Sequence, residues 1–225
     1  MRNGFSYGVG LAVSLVIAGN FPAIAQGQPE NLWDRVYRSL FGGKPPVPKG
    51  TGGSRPLSGD DFCSVVPGQW GREKPLMLRS RPTWIWRGAV ESIELQVAGQ
   101  TIWQQSVNVQ SDADGLTRIL HRGPLLEPGQ NYRLVMKRSN NSMVYANFQT
   151  IVPELRSPIA LAQNRVQESA WRSGKRGSAL VQERVSFLTQ QELWLEVVQE
   201  VLMSGENSAE WRDVRSGIIN ETCDQ

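Results

Sequence analysis

Apolar and polar side chains alternate along residues 91–97 (ESIELQV), which places Ile93, Leu95 and Val97 on one face. A short turn at Ala98-Gly99-Gln100 follows, and residues 101–109 then place Trp103, Val107 and Val109 on one face. A period of two on both sides of a Gly-containing turn predicts a β-hairpin. Residues 116–120, 132–137 and 143–151 are further runs of strand length. Gly123-Pro124, Glu127-Pro128-Gly129-Gln130 and Asn140-Asn141-Ser142 separate them as turn clusters. Short strands at this close spacing across 61–152 predict an antiparallel, immunoglobulin-like β-sandwich.

Beyond Pro153 the period becomes helical. Ser157-Pro158 reads as a helix start, because Pro in a first turn lacks only an N–H that has no intrahelical partner. Ile159, Ala162, Val166 and Ala170 follow at helical spacing. A second helix is expected from near Ser178, carrying Val181, Val185 and Leu188. Thr189-Gln190-Gln191-Glu192 has the form of a capping box and predicts the start of a third, with Leu195, Val198 and Leu202 on one face and Gly205 as its stop. A fourth over 208–219 carries Trp211, Val214 and Ile218. The expected class is α+β: a sandwich at 61–152, then a small helical region at 153–225 packed on it.

The N-terminal quarter differs in kind. Residues 1–25 read as a signal peptide: Arg2 precedes the apolar run at 8–18 (GVGLAVSLVIA), and Ala23-Ile24-Ala25 is a small-x-small cleavage site. That run is too short to span a bilayer comfortably, so no membrane span is expected in the mature chain. Residues 26–60 read as a short helix and a linker. Within them, 30–41 (ENLWDRVYRSLF) puts Trp33, Val36, Tyr37, Leu40 and Phe41 on one stripe, and 42–59 is Gly, Pro, Ser and Lys, a composition that cannot bury a core. The stripe is either docked back on the domain or free. A periplasmic or extracellular location after cleavage near Ala25 follows, and an oxidising compartment permits a structural bridge between Cys63 and Cys223.

Composition narrows the function classes. In 225 residues, 8 Trp, 6 Phe and 4 Tyr exceed what a disordered chain carries, and a net charge of +3 is too small to imply nucleic-acid binding. One His and two Cys cannot build a zinc site. His121 has no G-x-S-x-G partner and reads as a surface residue, and no phosphate-binding Gly motif is present. Asp112-Ala113-Asp114-Gly115 resembles part of a calcium loop but lacks the distal donors, so a plain turn is the expectation. The carboxylate pairs Asp60-Asp61 and Glu206 with Glu210 read as caps. No catalytic residue, cofactor or metal is expected. The sharpest candidate is 79–87 (RSRPTWIWR), where Trp84 and Trp86 share one strand face. Exposed, with Arg81 and Arg87 beside them and Trp70 nearby, they would stack on sugar rings. Buried, they are sandwich core, which Thr83 and Arg87 on the other face favour.

Phe62-Cys63 with Pro67-Gly68, then Arg81-Pro82-Thr83-Trp84-Ile85-Trp86-Arg87-Gly88, Leu126-Glu127-Pro128-Gly129-Gln130-Asn131-Tyr132, Glu192-Leu193-Trp194, Gln199-Glu200 and Cys223 complete a pattern. Over about 61–223 the chain resembles secreted cyanobacterial proteins of unknown function with a β-sandwich before helices. The resemblance implies an exported protein with a Cys near each end of the fold and carries over no catalytic residues. The expected function is that of a non-enzymatic envelope module binding another envelope protein through its sandwich and helical tail. The alternative is binding of cell-wall glycan through the Trp/Arg surface.

Overall fold

A computed structural model describes residues 62–68 and 75–223, all within the unit Asn31–Gln225. The expected leader at 1–25, the stripe at 30–41, the linker, Asp60-Asp61 and Trp70 lie outside the described residues. The fold is mixed α+β: two sheets followed by four helices.

The hairpin forms where alternation placed it, from β4 (Ser92–Val97) and β5 (Gln100–Ser106). Ala98 and Gly99 both take positive φ (49° and 81°), as a two-residue type I′ turn requires. Pairing runs Leu95 against Trp103 and Gln96 against Thr101, so Ile102 is an extra, bulged residue. β5 ends earlier than the alternation implied. Val107 N–H still reaches the Glu91 carbonyl at 2.8 Å, but β4 offers no partner beyond it, and Val109 is left exposed.

The other strands are β1 (Cys63–Val66), β2 (Leu76–Met77), β3 (Thr83–Arg87), β6 (Leu116–Leu120), β7 (Asn131–Lys137) and β8 (Met143–Thr150). One sheet has the order β1-β3-β6 and the other β2-β8-β7-β4-β5. All pairs are antiparallel except β2 with β8. The sheets share a core: Trp84 of β3 lies 5.7 Å from Phe148 of β8 between ring centres, and Phe148 stacks on Tyr132 of β7 at 5.4 Å.

The helices are α1 (Pro153–Arg172), α2 (Gly177–Gln190), α3 (Trp194–Met203) and α4 (Ala209–Cys223). Two boundaries differ from expectation. α1 starts at Pro153, and Pro158 sits inside it. Pro153 already fills the first turn, and a second Pro close behind removes one N–H where the ladder is just beginning. The second difference is at 189–192, which closes α2 instead of opening α3. The Leu193 N–H bonds the Leu188 carbonyl and the Glu192 N–H bonds the Thr189 carbonyl, both at 3.0 Å. Glu192 has φ 55°. These are the two bonds of a Schellman stop with its left-handed residue, and buried Leu188 and Leu193 supply its apolar contact. The Thr189 hydroxyl is buried with no hydrogen-bond partner, so no capping box is made.

α3 is the centre of the helical layer, and every residue from Leu195 to Leu202 is buried. It packs against α2, α4, β1 and β2, while α4 lies along β1. No helix among the described residues is long and apolar enough to cross a membrane.

Candidate functional site

Trp84 and Trp86 are both 0% exposed. An indole with no exposed surface offers no face to a sugar ring, so neither Trp84 nor Trp86 can serve the glycan alternative. The opposite face of β3 is not solvent either: Ile85 is 0% and Thr83 8% exposed. That face turns toward α3 and α4, which contact β1 of the same sheet, so β3 is buried on both sides. The indole N–H groups of both Trp have no hydrogen-bond partner. Arg81 lies in the exposed approach to β3 and half-buried Arg87 ends it. Six residues of extended chain hold them about 20 Å apart, so they do not converge on one anion.

His121 is the clearest correction, for it is 0% exposed. It stands edge-on to two indoles, with ring centres 5.5 Å from Trp84 and 4.7 Å from Trp103. Its Nε2–H donates to the Pro124 carbonyl at 2.8 Å, which leaves Nδ1 without a partner. A Cβ on Gly123 would stand 2.5 Å from the Trp103 ring and 2.7 Å from His121, so glycine is what lets this loop close over the imidazole. Burial, the largest cause, holds the His121 pKa below its ordinary value against the opposing pull of the Pro124 carbonyl, and the Arg81 charge adds a smaller push in the same direction as burial. The unfolded chain therefore takes up the proton first as pH falls. Stability is full at neutral pH and is lost as pH drops below the ordinary histidine range, by at most about 1.4 kcal/mol per pH unit. His121→Gln, which keeps a donor for Pro124, should flatten that slope in urea titrations between neutral and mildly acidic pH. Equal slopes in both proteins would refute it. The single histidine makes its ring resonances a direct second readout.

The Asp112–Gly115 stretch is a turn. Asp112 Oδ1 accepts from the N–H groups of Asp114 (2.9 Å) and Leu116 (3.1 Å), and the other oxygen pairs with Arg118. Asp114 lies 3.6 Å from Arg118 and 3.8 Å from Arg215 of α4. The carboxylates are thus engaged by backbone amides and guanidinium groups. Among the described residues no set of three or more His, Cys, Asp or Glu side chains is placed to hold a metal ion. Glu210 lies in the first turn of α4, and Cys63 and Cys223 form the disulfide that joins the start of β1 to the end of α4.

A buried polar cluster that the sequence did not announce sits on α3. Glu196, Gln199 and Glu200 share one helical face by their spacing and are 1%, 1% and 7% exposed. They meet the segment between β2 and β3. Glu196 Oε1 accepts from the backbone N–H groups of Leu78 (2.8 Å) and Arg79 (3.0 Å), and its Oε2 accepts from Arg79 Nε at 2.7 Å. Gln199 Oε1 accepts from the Thr83 N–H at 2.7 Å. Glu200 bridges two guanidinium groups, from Arg79 and from Arg184 of α2. Burial opposes the Arg79 charge, but Glu196 and Glu200 outweigh it and raise its pKa further. Two carboxylates against two guanidinium groups balance, and each carboxylate is held by several donors. The arrangement fixes the position of α3 on the sheet.

Comparison with protein-family models finds no match to this chain, and comparison with curated proteins finds none either.

Proposed function

We propose that the protein is an exported, non-enzymatic interaction module of the cell envelope, whose helical region engages a protein partner. The observation that carries this reading is α1. Of its twenty residues only Ala170 is buried, and it packs chiefly on α2. Leu155, Leu161 and Trp171 are 56%, 58% and 46% exposed. A helix this weakly covered contributes little to the core, and aromatic and aliphatic side chains left in water are what a partner surface uses. The chemistry-bearing groups add support from another side: His121, Asp112, Glu196 and Glu200 are all taken up in bonds that hold the fold. In this reading the two sheets form an immunoglobulin-like sandwich. The Tyr132 hydroxyl, at the start of β7, accepts from the Glu127 N–H five residues upstream at 2.7 Å, the kind of corner such sandwiches use. The resemblance to secreted cyanobacterial proteins and the leader-like segment before Gln26 supply the exported location.

The test is capture from an envelope extract by purified 26–225, with Leu155→Glu/Leu161→Glu/Trp171→Glu as comparison. A specific protein should be retained by the parent chain and lost from the triple variant, which should melt close to the parent because about half of each replaced residue is already in solvent. A triple variant that retains every partner would remove α1 from the reading.

A further inference from the structure

The β3–β6 register pairs Thr83 with Leu120, and the His121 N–H continues it onto the Pro82 carbonyl at 2.9 Å. One step further along, Arg81 stands opposite Arg122, and both are exposed. Like charges set directly across two strands repel, and an anion between them would relieve the cost. The fold supplies none: among the described residues no ion pair reaches Arg81 or Arg122. Arg118 on β6 shows the contrast, since Asp112 and Asp114 both pair with it. Glu127, the next carboxylate along the chain, sits by Tyr132, with its N–H on that hydroxyl at 2.7 Å.

Aliphatic side chains flank the two guanidinium groups. The Leu126 N–H bonds the Ser80 carbonyl at 3.1 Å, so residues 122–125 form a loop held at both ends against 80–82. Arg122, Pro124 and Leu125 of this loop are exposed. Leu125 is 57% exposed, and Leu120, two residues before Arg122, is 50% exposed.

We propose that Arg81, Arg122, Leu120 and Leu125 dock the protein on an anionic lipid surface, with the leucines in the acyl boundary and the guanidinium groups at headgroup phosphates. Aliphatic side chains that enter the interface, together with cations that attract acidic lipids, are what hold a peripheral protein there. Headgroups diffuse, so two phosphates can gather at the adjacent guanidinium groups, each taking one as a bidentate partner. A folded protein partner fits the patch less well. Four side chains fall far short of the roughly 20–30 residues a side in a stable protein–protein interface, whereas a membrane takes side chains singly. None of these residues belongs to α1, so the reading proposed for that helix stands or falls separately.

Flotation of purified 26–225 with vesicles of phosphatidylcholine, alone or with phosphatidylglycerol added, tests the proposal. Binding is expected with the anionic vesicles and should weaken as salt rises. Arg81→Gln/Arg122→Gln should lose about fivefold in affinity for each charge removed, and Leu125→Ser roughly tenfold. Circular dichroism melts matching the parent's would show that both variants fold; if the paired change does not, Arg122→Gln alone serves the same purpose. His121 gives a local readout, because the Arg81 charge acts on its buried ring. Its resonances, the only histidine signals of the chain, should move when small anionic bicelles are added. Vesicle binding that the variants keep in full, or that leaves His121 unmoved, belongs to another part of the chain and overturns the proposal. A chain that floats with neither vesicle, or equally with both, also overturns it. Inorganic phosphate that moves the ring without any flotation would assign a soluble oxyanion instead. An acidic protein captured from the envelope extract and lost with the same arginines, again without flotation, would give the patch to that partner.

Discussion

Glu196→Ala is expected to destabilise the fold by about 3–5 kcal/mol, the usual cost of removing one partner from a buried ion pair. The alanine leaves three donors without their acceptor: the N–H groups of Leu78 and Arg79 and the Arg79 guanidinium. Leu78 is buried, so its amide cannot recover the bond from water without opening the contact between α3 and the β2–β3 segment. Arg79 is better placed, since its side chain is 36% exposed and still reaches Glu200, which holds the expected loss to the range stated. At about 2–4 °C per kcal/mol for a domain of this size, the melting temperature should fall by roughly 10 °C or somewhat more. Glu196→Gln keeps one carbonyl oxygen for the two backbone amides and gives up the charge and the bond from Arg79 Nε, so it should lose distinctly less. Urea unfolding of the parent and both variants provides the measurement. If alanine and glutamine cost the same, the backbone bonds are not what Glu196 contributes; if both lie within about 0.5 kcal/mol of the parent, the cluster is not an anchor at all.

That cluster also shows where sequence reasoning stops. Alternation and turn residues located the strands well because they are local: the period of β4, the Ala98-Gly99 turn and the limits of β6 depend on a few neighbouring side chains. The apolar stripes of α2 and α4 were legible for the same reason, and Val181, Val185, Leu188, Trp211, Val214 and Ile218 are all buried. Errors arose where a longer-range contact reversed the local meaning of a residue. Thr189 and Glu192 have capping-box spacing, yet the covered layer around Leu188 and Leu193 makes a helix stop of them. His121 lies among Arg118, Arg122 and Gly123, a polar context, but Trp84 and Trp103 close over it from two strands distant in sequence. Thr83 and Arg87 look like a solvent face until α3 and α4 are folded onto the sheet. One signal for the cluster was available: α3 reads WLEVVQEVLM, where the only polar positions, Glu196, Gln199 and Glu200, share one face of an otherwise apolar helix. A helix that apolar is buried all round, and polar residues on it then need partners inside the protein. Which partners they find, Arg79 and the amides of 78, 79 and 83, depends on how a segment more than a hundred residues earlier is placed, and no local pattern encodes that.

Reduction of the Cys63–Cys223 bond is the other change expected to act strongly. The bridge spans 160 residues, and a loop of that length restricts the unfolded chain by an amount worth about 5 kcal/mol in the chain-entropy account, with measured values commonly smaller. Its position adds a second effect. β1 lies at the outside of the smaller sheet and α4 at the end of the chain; besides their packing against each other, the disulfide is what ties them. Without it, α4 keeps the burial of Trp211, Val214 and Ile218 and the Arg215 bonds to Glu206 and Asn207, so it should stay folded but open more readily than the rest. The expected result for Cys63→Ala/Cys223→Ala is therefore a melting temperature lower by roughly 10–20 °C, with the steepest gain in amide exchange at the C-terminal end of α4 and in β1. Treating the parent chain with a thiol reductant should reproduce both changes, whereas the double variant should not respond to reductant. A uniform rise in exchange across all helices and strands would assign the whole effect to the unfolded state. An unchanged melting temperature would mean that packing between α4 and β1 already fixes these two segments, leaving the bond no structural role.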